Sequence, residues 1–190
     1  NSAYGVKTID EKFESPSSYR GNIALDLVTQ GGYAITLEIN KDIVNKSVRY
    51  SDIGYSSTET FASGRQVSSS DSENIHLSNH GEGEATAYTI MVDKDFGNLS
   101  AHMGYTNMEA TDMFSLTSAQ AESSYRNQVW TANNENVSPA RSDSMVEHKL
   151  VAALDYTTQI FGSNDTRFSL VFIRKSGEPY SMVYDWNAWD

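Results

Sequence analysis

The feature of this sequence that most restricts its fold is a two-residue alternation of apolar and polar residues, which recurs in three places. Each time, two alternating runs are joined by a short connection that contains Gly or Asn. Alternation of this kind is typical of a β-strand with one apolar face, and two such runs around a short turn predict a β-hairpin. The sequence therefore predicts an all-β fold built from three successive hairpins.

The alternation places the six predicted strands and divides their residues between two faces. The strands are expected near residues 18–29, 33–50, 85–93, 99–110, 145–157 and 166–175. Polar side chains that fall on the face opposite the large apolar residues are Asp26, Glu38, Asn40, Asp93, His102 and Asp155, and His148 is expected there too. Aromatic residues near the strand ends, on or close to the apolar register, are Tyr33, Tyr50, Tyr88, Tyr105 and Tyr156, with Phe96 and Phe161 in the turns.

Two long polar segments, near residues 51–84 and 111–143, separate the hairpins, and both exceed an ordinary connection in a compact domain. Short turns and long loops thus alternate strictly along the chain. A β-sandwich is expected to carry short connections at both ends, whereas an outer-membrane β-barrel has short turns on one rim and long loops on the other. The asymmetry favours a transmembrane antiparallel up-and-down β-barrel.

Charge and composition exclude several other classes. The chain has 14 Lys and Arg against 25 Asp and Glu, a net charge of −11, so no partner nucleic acid and no polybasic membrane contact are expected. No apolar run is long enough for a transmembrane helix, although short alternating strands would escape that criterion. The chain starts at Asn1 without an initiator Met or a signal segment, which suggests a piece of a longer polypeptide.

No motif predicts an enzyme, and no catalytic, cofactor-binding or metal-binding residue is assigned. His76 and His80 are four residues apart but lie in a Ser-rich and Asn-rich stretch that is expected to be a solvated loop. No Gly-x-Ser-x-Gly nucleophile motif is present. The carboxylates in the two long segments are expected to be hydrated surface groups, with calcium binding left open: Asp71, Glu73, Glu82, Glu84, Glu135 and Asp143.

Several segments, taken in their order along the chain, resemble the β-barrel of a TonB-dependent outer-membrane receptor of the Oar-like group, which carries a carboxypeptidase-regulatory-like N-terminal domain. The segments that carry the resemblance are residues 13–22 (FESPSSYRGN), 32–38 (GYAITLE), 40–43 (NKDI), 88–97 (YTIMVDKDFG), 104–106 (GYT), 116–121 (LTSAQA), 168–172 (FSLVF) and 176–181 (SGEPYS). Together they extend over nearly all 190 residues. One departure is at His148, where Lys149 follows and the group commonly has Arg.

The resemblance implies a receptor that binds a scarce extracellular ligand and imports it through a plugged barrel of about 22 strands. Residues 1–190 would form part of that barrel, with the plug, the TonB box and the remaining strands outside this chain. The implied location is the outer membrane of a Gram-negative bacterium, with outer-membrane lipid and the TonB complex as partners. The ligand-binding residues are unknown, and the resemblance leans toward a peptide or protein ligand.

Two alternatives remain open at this stage. The first is a secreted or surface β-sandwich that acts as an adhesion or carbohydrate-binding module; it would bury Ile35, Leu37, Tyr88 and Leu154 between two sheets. The second is a passive porin, which has the same barrel but an open lumen and no plug.

Overall fold

The computed structural model describes residues 5–54, 57–60, 66–68, 74–113, 118–127 and 138–180. Eleven β-strands and one helix lie in these ranges. The strands are β1 (Lys7–Ile9), β2 (Ser17–Val28), β3 (Tyr33–Asp52), β4 (Ser57–Thr60), β5 (Gln66–Ser68), β6 (Ile75–His80), β7 (Glu84–Phe96), β8 (Leu99–Asp112), β9 (Ala140–Arg141), β10 (His148–Phe161) and β11 (Asn164–Lys175), and the helix is α1 (Ala121–Arg126). The protein is all-β.

One mostly antiparallel sheet contains nine of these strands. Its long strands lie in chain order, β2–β3–β7–β8–β10–β11, so each hairpin predicted from the alternation is a pair of neighbours in the sheet. The outer edges of β2 and β11 pair with no strand among the described residues, and the sheet is open. The antiparallel pair β4–β5 is separate from this sheet.

The β3 ladder continues without a change of register from β7 onto β6. Tyr33 pairs with Lys94 at one end and Asp52 pairs with Ile75 at the other. All pairs between β3 and these two strands share one antiparallel register. Residues 81–83 interrupt the partner strand only locally, because the Gly83 carbonyl still accepts a hydrogen bond from the Val44 amide. β6 and β7 therefore act as one long strand beside β3.

The short turns share one end of the sheet, which we call the turn end. Gly97 and Gly162 occupy the left-handed region, at φ 72° and 69°, in two-residue turns between paired strands. Glycine adopts these angles without the penalty that a Cβ would bring. β3 and β8 enter the long connections, residues 53–74 and 113–147, at the opposite end of the sheet, which we call the loop end.

The two long segments are not simple loops, which corrects the prediction for residues 51–84 and 111–143. The first contains β4, β5 and β6, and the second contains α1 and β9. In addition, β1 pairs in parallel with β6. Ser and Glu dominate β4 and α1, a composition typical of connections. β1, β5 and β9 are each at most three residues long, which is too short for an alternation pattern to reveal.

Buried side chains are few among the described residues, and they gather at the loop end. Tyr125 of α1, Ile75 of β6 and Met145 are each at most 2% exposed, together with Ser124. The amide of Ala110 at the end of β8 donates to the Met145 Sδ at 3.1 Å. We call these side chains the buried cluster. The Met145 contact holds the chain before β10 against the end of β8, and α1 contacts β3. Most of the sheet has no layer packed on it among the described residues.

Candidate functional site

One face of the sheet carries an ordered set of cross-strand polar pairs, and we call it the polar face. Thr36 donates to Asp26 at 2.6 Å, and the Asn22 amide donates to Glu38 and, at 2.8 Å, to Asn40. In each of these pairs, the β2 residue and the β3 residue stand opposite or diagonally opposite each other in the ladder. Side chains on this face therefore satisfy one another across the strands.

The same pattern continues on the later strands. His102 Nδ1 lies 2.6 Å from an Asp93 carboxylate oxygen, and Arg167 and Ser169 both donate to Asp155. The six polar residues predicted for this face thus all lie on it. Their pairing is a property that the alternation alone did not specify.

A shallow open cavity of about 270 Å³ lies on the polar face around Gly104. Gly104 stands between Met91 on β7 and Val151 on β10 in the ladders. Because Gly104 has no side chain, the surface of the sheet is recessed at this position. The rim is mixed in chemistry: the Thr89 and Thr106 hydroxyls, 3.0 Å apart, border it together with the Asp93–His102 pair and Lys149.

The opposite face, which we call the apolar face, carries large apolar side chains that nothing in the described residues covers. Leu37 is 40% exposed, Tyr88 is 53% exposed and Leu154 is 44% exposed. The large apolar members of this face are Ile23, Leu25, Leu27, Tyr33, Ile35, Leu37, Ile39, Ile43, Tyr88, Ile90, Val92, Leu99, Met103, Tyr105, Leu150, Leu154, Tyr156, Phe168, Leu170 and Phe172. A single soluble monomer rarely leaves so continuous an apolar surface in water.

The apolar face changes character along β3 while the ladder continues. Tyr33, Ile35, Leu37, Ile39 and Ile43 share this face, and Lys41 is the only charged residue among their positions on β3. Beyond Ile43 the same register holds only polar residues on β3: Asn45, Ser47, Arg49 and Ser51. Lys41 is neutralised by Glu84 at 2.7 Å and by a hydrogen bond to Thr86. The apolar band therefore ends near Ile43, although the strand runs on to Asp52.

Two aromatic positions need correction. Tyr50 has the same parity on β3 as Glu38 and Asp52, so it belongs to the polar face and not to the apolar register. Conversely, His148 stands opposite Asn107 on the apolar face, where its ring stacks on Tyr105 and its Nδ1 lies 2.9 Å from the Tyr105 hydroxyl. His148 was expected on the polar face, but its even number gives it the parity of Leu150 and Leu154.

The other histidines also differ from the solvated loop that the composition suggested. His76 and His80 both lie on β6, where the His76 Nδ1 is 2.8 Å from the Thr8 hydroxyl and the His80 Nδ1 accepts from the Gly81 amide. No group of three or more potential metal ligands gathers among the residues that the structure describes. Glu82 and Asp143 are exposed, Glu84 pairs with Lys41, and Asp71, Glu73 and Glu135 lie outside the described residues.

A second open cavity, of about 410 Å³, lies at the loop end beside β9 and the segment that follows β11. Arg141 donates to Glu147 at 2.8 Å on its border, and Glu178 and Tyr180 complete that border. No motif indicated this site, because its residues come from segments far apart in the sequence.

Comparisons with protein-family models, with curated proteins and with solved structures gave no match to this chain. Within the described residues, no helix is long and apolar enough to cross a membrane.

Proposed function

We propose that this chain is part of a transmembrane antiparallel β-barrel in the outer membrane of a Gram-negative bacterium. The observation that carries the proposal is the apolar face: it is exposed, it spans several adjacent strands, and it ends near Ile43 while β3 continues. From Tyr33 to Ile43 the strand rises about 33 Å, at about 3.3 Å per residue. At a tilt of about 45° this is about 23 Å along the membrane normal, close to the apolar band of about 25 Å in such barrels.

In this arrangement the apolar face contacts lipid and the polar face lines the lumen. A lumen wall needs its polar groups satisfied by protein or water, which the paired side chains of the polar face provide. The open edges of β2 and β11 would pair with further strands of a barrel of about 22, because an unpaired edge in lipid is costly. The short turns would face the periplasm and the long segments the cell exterior.

We further propose that the barrel belongs to a TonB-dependent receptor that imports a scarce extracellular ligand, with no enzymatic reaction. This step rests on the sequence resemblance and is supported by two features of the described part of the loop end. Tyr125 of α1 is buried within the second long connection, and the cavity beside Arg141 offers charged and aromatic groups to a ligand. The plug and the contact with the TonB complex would be formed by residues outside this chain.

The sandwich alternative predicts a second layer over the apolar face. Leu37, Tyr88 and Leu154 are 40% to 53% exposed, and the described residues supply no such layer. A passive porin agrees with the same sheet, so an experiment must separate it from a plugged receptor.

Conductance of the full-length protein in a planar lipid bilayer separates these two functions. A plugged receptor is expected to insert without a steady current, and insertion is verified by slower migration on a gel after boiling. A steady ohmic current from the inserted protein would contradict the receptor and favour the porin. A full-length protein that stays soluble and shows no change on boiling would contradict the barrel itself.

A further inference from the structure

Lys94 is a cation on the apolar face at the turn end of the sheet. It stands opposite Tyr33 in the ladder and has the same parity on β7 as Ile90 and Val92. The alternation predicts a strand that ends near residue 93, which leaves Lys94 in the connection, whereas β7 extends to Phe96.

The Lys94 ammonium is held between aromatic rings. Its Nζ lies 5.0 Å from the centroid of the Tyr33 ring and 5.5 Å from that of Phe96, and it donates to the Gly31 carbonyl. Among the described residues no carboxylate lies within ion-pair distance of it, in contrast with Lys41, whose Nζ is 2.7 Å from Glu84. Its positive charge is therefore not neutralised by a neighbouring acid in this part of the chain.

The turn between β2 and β3 leaves space for this ammonium. Gly32 has a φ of 73°, and a Cβ built on it would lie only 2.9 Å from the Lys94 Nζ. Any other residue at position 32 would strain the turn, and the flexible end of the Lys94 side chain would have to shift. Glycine thus allows the ammonium to reach the Gly31 carbonyl at the edge of the apolar face.

We propose that Lys94, with Tyr33 and Phe96, binds the phosphate of a phospholipid headgroup at the turn-end boundary of the membrane. This inference rests on the proposed barrel. An ammonium has three donors and the Gly31 carbonyl takes one, so two remain for phosphate oxygens. Aromatic rings favour the membrane–water boundary, and a lysine near a membrane surface attracts anionic lipid. The apolar residues on the same face between Lys94 and the loop end, such as Val92 and Ile90, would contact the acyl chains of the same lipid.

Native mass spectrometry of the full-length protein, titrated with phosphatidylglycerol in neutral maltoside micelles, tests this site. Lys94→Gln is expected to weaken the tightest lipid-binding step about fivefold, which corresponds to the loss of one lysine near a membrane surface. Lys94→Arg keeps the charge and is expected to bind nearly as well as the wild type. Lys41→Gln is the matched control, because it removes a lysine from the same face at the opposite boundary and is expected to leave this step unchanged.

Equal lipid binding by the wild type and Lys94→Gln would overturn the inference, provided that both proteins migrate faster before boiling. Displacement of the lipid by inorganic phosphate at an equal concentration would also overturn it, because a general anion site would then explain the binding. A wild-type protein that never enters membranes would instead contradict the proposed function, and this site with it.

Discussion

The Leu37→Arg substitution is expected to block membrane assembly. Leu37 lies on the apolar face, four residues after Tyr33 and six before Ile43, or about 13 Å and 20 Å along the strand. At a tilt of about 45° it lies about 9 Å and 14 Å from the two boundaries, near the middle of the band. Arginine facing lipid near the midplane costs about 2–4 kcal/mol, which is about 30-fold to 1,000-fold in the folding equilibrium.

The assay is refolding of the full-length protein into lipid vesicles across a urea series, with the folded fraction measured from the unboiled gel shift. Ser47→Arg is the control, since residue 47 has the same parity on β3 but lies beyond the apolar band. Glu38→Ala, on the polar face, is expected to have a small effect because its neighbour Asn22 keeps Asn40 as a partner. If Leu37→Arg folds as well as Ser47→Arg, the assignment of this face to lipid is wrong.

Three further changes test other parts of the structure in the same full-length protein. Asp93→Asn is expected to lower the free energy of unfolding by about 1 kcal/mol or less, because Asp93 and His102 are both about half exposed; a much larger loss in urea unfolding would mean that the pair is buried by other parts of the protein. Tyr125→Ala removes a ring that is 1% exposed and is expected to increase protease cleavage in residues 113–147 without preventing assembly; unchanged cleavage would contradict the buried cluster. Gly97→Ala is expected to lower the free energy of unfolding by about 1 kcal/mol from backbone strain alone, because φ is 72° and a Cβ there meets no atom within 4 Å. Gly21→Ala is the control, because its Cβ also meets open space but its φ is not positive. Equal melting temperatures for the two variants would contradict the turn geometry.

The hairpins were predictable because alternation and turn residues are local signals. Ile23 to Leu27 and Tyr33 to Ile39 reveal both their faces and their register, and the ladder pairs Leu25 with Leu37 as the pattern requires. The start of β10 was less predictable: the strand was expected from about residue 145, but it begins at His148. The apolar Met145 precedes the strand and is buried at the loop end instead.

Features that depend on distant residues could not be predicted. β6 has only two strongly apolar residues, Ile75 and Leu77, and its place beside β3 follows from the uninterrupted ladder rather than from its own sequence. The cavity around Gly104 depends on the residues that face it across two strands. For Lys94, parity did carry a signal, because its position continues the series of Tyr88, Ile90 and Val92.

The central claim is that the apolar face contacts lipid, and oxygen accessibility of nitroxide labels along β3 tests it most directly. The 190 residues contain no Cys, so single cysteines can be placed at positions 35, 37, 39, 45 and 47 of this face, and at 36 and 38 of the other, in the full-length protein in bilayers. We expect high accessibility to oxygen and low accessibility to a water-soluble nickel complex at 35, 37 and 39, and the reverse at 45 and 47, which lie beyond the apolar band. Labels at 35, 37 and 39 that are immobilised and inaccessible to both reagents would show that protein covers this face, and would contradict the account.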